Sequence, residues 1–249
     1  MRLGIMQPYF FPHLGYFDLM RATDFWVVFD TPAFSRKGWT NRNRILHPSD
    51  GWQWITVPVI KAPLGTPINA MAVDTGRDWW PRMRGQIDHY RKHAPHFDAV
   101  VDLMASVCGH GHERLADLNI AGLKAVADLL GMRLEYAVFS QMDLTIGDVD
   151  HPGGWALEIA TALKADAYVN PPGGADLFDP RAFAERGIDL EIRDMPPMVY
   201  DCAHGYGYEP RLSIVDVLMW TPPDQVAAYL DRWAQPHPGD PRLTEPAAP

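Results

Sequence analysis

With 249 residues, 47% hydrophobic and 21% charged, the chain has ordinary globular composition and enough apolar content for a sizeable buried core. A formal charge of −9 excludes a chain-wide cationic face for nucleic acid or anionic membrane, although a local basic patch remains compatible with it. Cys108 and Cys202, the two cysteines, lie far apart, which excludes a disulfide framework and a four-cysteine zinc site. The expectation is a reducing, cytoplasmic setting.

Residues 2–6, RLGIM, read as a short buried strand that stops at Gln7-Pro8, since proline cannot donate to a ladder. Nothing before the prolines has the length of a signal peptide, and no run of about 18 apolar residues offers a membrane span, so an unprocessed chain with no membrane partner is expected. A bulky, rigid turn follows, QPYFFPHLGYF, where an α/β protein normally has a short polar loop. Leu14, Phe17, Leu19 and Met20 then fall at helical spacing, and FWVVFD is a second strand. Strand, helix, strand is a right-handed crossover unit, which makes a parallel sheet the leading expectation.

The segment TPAFSRKGWTNRNRIL is polar and cationic, carrying Arg36, Lys37, Arg42 and Arg44, and precedes the apolar strand WQWITVPVI. Between Trp79 and Gly131 the pattern is helical, with Leu115, Leu118, Leu123, Val126, Leu129 and Leu130 on one broad face and Gly131 suited to a C-cap. Alternation resumes with RLEYAVF as strand, GGWALEIATALKA as helix, AYVN as strand, PPGGADLFD as loop and IDLEIRDM as strand. RLSIVDVLMW and PPDQVAAYLDRWA read as helices. The expected architecture is a single α/β domain over residues 1–234, with a Rossmann-like, mostly parallel sheet and a helical insertion at about 77–131. Residues 235–249 are expected to be a disordered tail.

Candidate site residues cluster at predicted strand ends, where open parallel sheets bind ligands. Gln7 and Tyr9 follow the first strand. His13-Leu14-Gly15 opens the first helix, where a glycine admits close approach and the helix N-terminus favours anions. Asp30 ends the second strand and is placed to orient an acceptor; its bland reading is a turn or cap carboxylate. Lys37, Trp39, Arg42 and Asn43 lie in the cationic segment, suited to phosphate or carboxylate, with a solvated loop as the alternative. Asn170 and Gly174 form a later strand-to-loop junction on the far rim of the same cleft. His89, His93 and His96, and the group Cys108, His110, His112 and Glu113, reproduce no known zinc pattern, so no metal is expected. Cys202 and His204 form a candidate thiolate pair whose incidental reading is favoured.

MQPYFFPHLGYFDLM, GWTNRNRI, LADLN with LLGM after it, YVNPPGGADLFD and PRLSIVDVLM together resemble the WbqC-like family of bacterial proteins. The resemblance implies a place beside enzymes that build surface polysaccharides and some specialised metabolites, and for some members a role in attaching an amino acid, notably glycine, to an amino sugar. The chain departs from the family pattern at Asp30-Thr31-Pro32-Ala33 and at Cys202. His13-Leu14-Gly15-Tyr16 also resembles the His-x-Gly-His motif of the nucleotidyltransferase and class I synthetase superfamily, with Tyr16 in place of the last histidine. That second resemblance implies ATP with Mg²⁺ as cofactors.

The leading expectation is a transferase that attaches an acyl or aminoacyl group, glycyl included, to an amine of a small polar acceptor. His13, Asp30 and Lys37 would do the chemistry, while Gln7, Tyr9, Trp39, Arg42, Asn43, Asn170 and Gly174 bind substrate. Rival readings are an ATP-dependent enzyme that activates a carboxylate or transfers a nucleotidyl group, and a non-catalytic binding or scaffold subunit. A tRNA-borne donor is less favoured because of the net acidity.

Overall fold

In chain order the elements are β1 (Arg2–Met6), α1 (Leu14–Arg21), β2 (Phe25–Val28), β3 (Arg42–Leu46), β4 (Trp52–Thr56), α2 (Trp79–Ile87), α3 (Phe97–Cys108), α4 (Leu115–Leu129), β5 (Tyr136–Val138), α5 (Gly154–Ala162), β6 (Ala167–Asn170), α6 (Pro180–Glu185), β7 (Asp189–Ile192), α7 (Ile214–Trp220) and α8 (Pro223–Ala234). They come from a computed structural model that describes residues 1–203 and 205–234. The expected tail at 235–249 therefore lies outside the described residues. Five strands form one sheet in the order β5-β2-β1-β6-β7, and every adjacent pair in it is parallel.

Numbered by their own sequence order, those strands run 3-2-1-4-5, the order of doubly wound sheets that bind ligands at a switch point. The switch falls between β1 and β6, whose register pairs Gly4 with Val169. Helices cover both faces because the strands bury side chains alternately on each side. Leu3, Ile5, Val27 and Tyr168 pack beneath Ile159 of α5 and Phe183 of α6. Trp26, Val28 and Val169 point the other way, into a larger core with α1, α3, α4 and α7.

One expectation is refined. The RNRIL part of the cationic segment is strand β3, which pairs antiparallel with β4 as a hairpin outside the main sheet. Asn43 and Ile45 turn inward and are buried, while Arg42 and Arg44 stay half-exposed, so the strand alternates without looking apolar. Within PPGGADLFD, Pro172–Leu177 winds into a 3-10 turn rather than open loop. The helical stretch divides into α2, α3 and α4. Among the described residues, no helix is long and apolar enough to cross a membrane.

Candidate functional site

A cavity of about 970 Å³ opens at the carboxyl ends of β1 and β6, at the switch point. Gln7 and Tyr9 line it after β1, and Asn170 and Gly174 after β6. His13 stands at the start of α1, Trp39 comes from the segment before β3, and Trp155 from α5.

The aromatic turn is divided between core and cavity. Phe10, Phe11 and Phe17 are buried core residues, whereas Tyr9 and Tyr16 line the cavity with their rings 5.8 Å apart. Burying each phenylalanine contributes about 2 kcal/mol. Phe11 adopts φ 37°, the left-handed region that bulky residues avoid. Three polar side chains hold the turn there. Asn43 Nδ2 donates to the carbonyls of Phe10 (3.0 Å) and Phe11 (2.9 Å), and Ser213 Oγ donates to Phe11 O at 2.7 Å. Asn119 Nδ2 of α4 donates to Pro8 O (2.8 Å) and Thr40 O (2.7 Å). Buried carbonyls without ladder partners are thereby satisfied, and β3, α4 and α7 converge on one turn.

His13 is the N-cap of α1, its Nδ1 accepting from the Gly15 N–H at 3.1 Å. With Nδ1 an acceptor, a neutral ring carries its proton on Nε2 and can donate from there. Burial, reinforced by the Arg211 and Arg44 cations, lowers the imidazole from its ordinary 6.5 to about 4. The ring is therefore neutral at physiological pH. Gly15 is required by this geometry, because a Cβ there would sit 2.8 Å from His13 Cε1.

The remaining candidates separate by location. Asn170 accepts from Tyr168 Oη (2.8 Å) and donates to Pro171 O (2.9 Å) at the cavity rim. A Cβ on Gly174 would meet its Nδ2 at 2.6 Å. Asp30 lies outside this cavity, beside a smaller one of about 250 Å³, and its carboxylate accepts from Ser140 N (3.0 Å) and Ser140 Oγ (2.6 Å). Thr31 and Pro32 line the main cavity in its stead. Lys37 is exposed and does not line the cavity. Arg42 stacks 4.0 Å over Trp54 and donates to Gly38 O (3.3 Å) and Lys37 O (2.9 Å), so it closes its own loop. Asn43 is the buried tether of the turn.

Other residues join the cavity that sequence reasoning missed. Arg193, just after β7, lines it while forming a buried bidentate pair with Asp18 of α1 at 2.6 and 2.7 Å. Arg211 lines it with φ 56° and reaches Asp194 at 3.3 Å. Tyr200 lines it and donates to Asp216 at 2.9 Å. The signal for Arg193 is a cation directly after a strand, at the carboxyl edge where open parallel sheets bind ligands. Asp216 is fully buried and also accepts from Leu46 N (2.8 Å) and Tyr90 Oη, and its burial raises it from 3.8 to about 6.

Cys202 does not line the cavity, and burial first, then Asp216 and Asp201, pushes its thiol up to about 12. Its candidate partner His204 lies outside the described residues. His89 sits beside Tyr90 and Tyr206, with Nδ1 2.8 Å from Tyr206 Oη. Among the described residues, no group of three or more His, Cys, Asp or Glu gathers as a metal site.

Residues 7–228 match the family described as the WbqC-like protein family. A relative named "Uncharacterized protein Rv1507c", from Mycobacterium tuberculosis (strain ATCC 25618 / H37Rv), is 30% identical over 224 residues, covering 87% of this chain and 92% of its own length. No solved structure matches.

Proposed function

The chain belongs to the WbqC-like protein family, and from that premise we propose that it is a transferase that joins an acyl or aminoacyl group to an amine of a small polar acceptor held in the switch-point cavity. The observation that carries this reading is the neutral His13 imidazole, fixed by Gly15 at the N-terminus of α1 and lining that cavity. A neutral Nε2–H donor at a helix N-terminus, whose dipole favours negative charge, suits an oxygen that gains negative charge as the acyl carbon is attacked. His13 acts as that donor rather than as a base, because its remaining lone pair is committed to Gly15.

The two thiols are pushed up to about 12 by burial, so a thiolate acyl-enzyme is disfavoured. The acceptor amine attacks the acyl carbon directly: the C–N bond forms, the bond to the leaving group breaks, and the amine proton passes to solvent. Gln7 and Asn170 orient the acceptor from the carboxyl ends of the neighbouring strands β1 and β6, and Arg211 offsets the charge of an anionic substrate.

Specific observations also favour the reading in which ATP activates the acyl group. The 3-2-1-4-5 strand order and the His-x-Gly start of α1 suit phosphates at the same place. Mg²⁺ would then be held mainly by the phosphates and water, since no cluster of three acidic or histidine ligands gathers among the described residues.

Thermal shift on the wild type, His13→Ala and His13→Asn tests both readings, with ATP and Mg²⁺, glycyl donors and nucleotide-linked amino sugars as probes. A ligand at about 100 times its Kd adds about 2.7 kcal/mol to stability. His13→Asn keeps a good capping acceptor, so it separates loss of the donor from loss of the helix cap. The transferase reading expects stabilisation by an acceptor or acyl donor, weakened in both variants, and an acylated product by mass spectrometry. Stabilisation by ATP with release of pyrophosphate selects the activating enzyme. Silence toward all the probes overturns both and leaves a scaffold subunit.

A further inference from the structure

Trp39 belongs both to the cavity lining and to the tryptophan–arginine face of the hairpin. On that face Trp54 lies 5.4 Å from Trp39 and 5.2 Å from Trp52, ring centre to ring centre. Arg44 stands over both ends of the row, 5.2 Å from the Trp39 ring and 5.0 Å from the Trp52 ring. The hairpin register explains the row: Arg44 pairs with Trp54 across the strands, and Trp52 and Trp54 share one face. Trp39 is thus a half-buried indole held by Trp54 and Arg44, neither of which lines the cavity.

The charge beside it is unusual for this chain. Arg44 donates to the backbone carbonyl of Arg211 at 3.2 Å and so ties that segment to the hairpin. The Arg211 side chain lines the cavity and reaches Asp194 at 3.3 Å, a cation at the cavity edge of a protein whose formal charge is −9. Arg211 is held at φ 56°, a conformation that costs roughly 1 kcal/mol or more in a residue with a Cβ and that tends to persist where function requires it. Ser213, two residues after Arg211, donates its N–H to Arg44 O at 2.8 Å and bridges to His13, which places both arginines near the start of α1. A flat apolar ring, an arginine and a helix N-terminus therefore share the lining of one cavity.

We infer that this edge is a nucleoside diphosphate subsite, in which the base stacks on Trp39 and the phosphates lie between Arg211 and the N-terminus of α1. This deepens the transferase reading and rests on it: one substrate enters as a nucleotide-linked molecule, with its reacting group deeper in the cavity toward Gln7 and Asn170. Trp39 touches the base, whereas Trp54, Trp52 and Arg44 keep the indole in place. Stacking is tolerant of base identity, so the subsite selects nucleotides as a class more strongly than one base.

Isothermal titration of the full chain with uridine diphosphate, adenosine diphosphate and inorganic pyrophosphate tests the subsite. The wild type is expected to bind the two nucleoside diphosphates roughly tenfold more tightly than pyrophosphate, the order of advantage that base stacking gives. Trp39→Ala should erase that preference while changing pyrophosphate affinity less than about twofold, and Trp39→Phe, which keeps a flat ring, should retain most of it. Arg211→Ala should weaken all three probes together. Equal affinities in the wild type, a preference that survives Trp39→Ala, or no binding of any probe overturns the inference. Acylation of a free amino sugar without nucleotide preference would remove the subsite and leave the transferase. A Trp39-dependent preference without acylated product would do the reverse.

Discussion

Gly15 shows how one missing methyl group sets up the candidate site. Gly15→Ala would bring a Cβ within 2.8 Å of His13 Cε1 and 3.0 Å of Nδ1, so the imidazole must leave its cap. The expected cost is about 1 kcal/mol in urea denaturation, the usual worth of an N-cap. Ligand-induced thermal shifts should disappear with it. Gly85 in α2 is the control, since a Cβ there meets nothing within 4 Å and its φ is not positive; Gly85→Ala should be neutral or stabilise by up to about 1 kcal/mol. A Gly15→Ala variant that keeps both its stability and its ligand response would remove His13 from its assigned role. The His-x-Gly signal was legible in sequence because cap and glycine are two positions apart. Arg211 was not, because its neighbour Arg44 lies 167 positions away and only the folded chain joins them. Charge alone ranks Arg42 beside Lys37. In the fold Arg42 is occupied by Trp54 and its own loop, a fate that depends on the strand partner.

At the scale of elements, the parallel strands and long helices could be read from apolar runs and helical spacing, because burial on both faces leaves a strong imprint in sequence. Strand β3 left a weaker one. Its inward position holds Asn43, whose partners are backbone carbonyls of the aromatic turn. A polar residue that is buried because of tertiary partners looks like a loop residue until those partners are known. Asn43→Ala would leave Phe10 O without that donor and Phe11 O with Ser213 alone of the two side chains. Losing buried partners costs about 1–3 kcal/mol per unsatisfied group, so a loss of roughly 2–4 kcal/mol is expected in urea unfolding, with an unchanged m-value. Asn119→Ala should behave similarly through Pro8 O and Thr40 O. A loss under about 0.5 kcal/mol in both variants would mean that the turn holds itself and that its convergence with β3 and α4 is incidental.

For the whole molecule, the acidity and the α/β class were visible in composition and alternation, but the strand order was not, since order depends on which connections cross which edge. The same long-range packing sets how stability responds to pH. His13 and His89 are both held down from 6.5 to about 4, chiefly by burial. Their folded values lie below the unfolded ones, so their contribution is present above 6.5 and is lost as pH falls through about 4. Asp216 has the opposite sign: raised by burial from 3.8 to about 6, it contributes fully below 3.8 and loses that contribution as pH rises through about 6. The two effects overlap and oppose each other, so the wild type should weaken on acidification from neutrality less steeply than its histidines alone would dictate. Asp216→Asn removes the opposing part. Its stability should be lower overall, because one of the donors on Asp216 then faces an amide nitrogen. Its fall between neutrality and pH about 4 should be steeper, by up to about 3 kcal/mol at about 1.4 kcal/mol per unit of pKa displacement. His13→Asn should make the same curve shallower. Urea titrations across that pH range check both slopes, and an Asp216→Asn curve parallel to the wild type would show that the carboxyl titrates near its ordinary value in the folded protein.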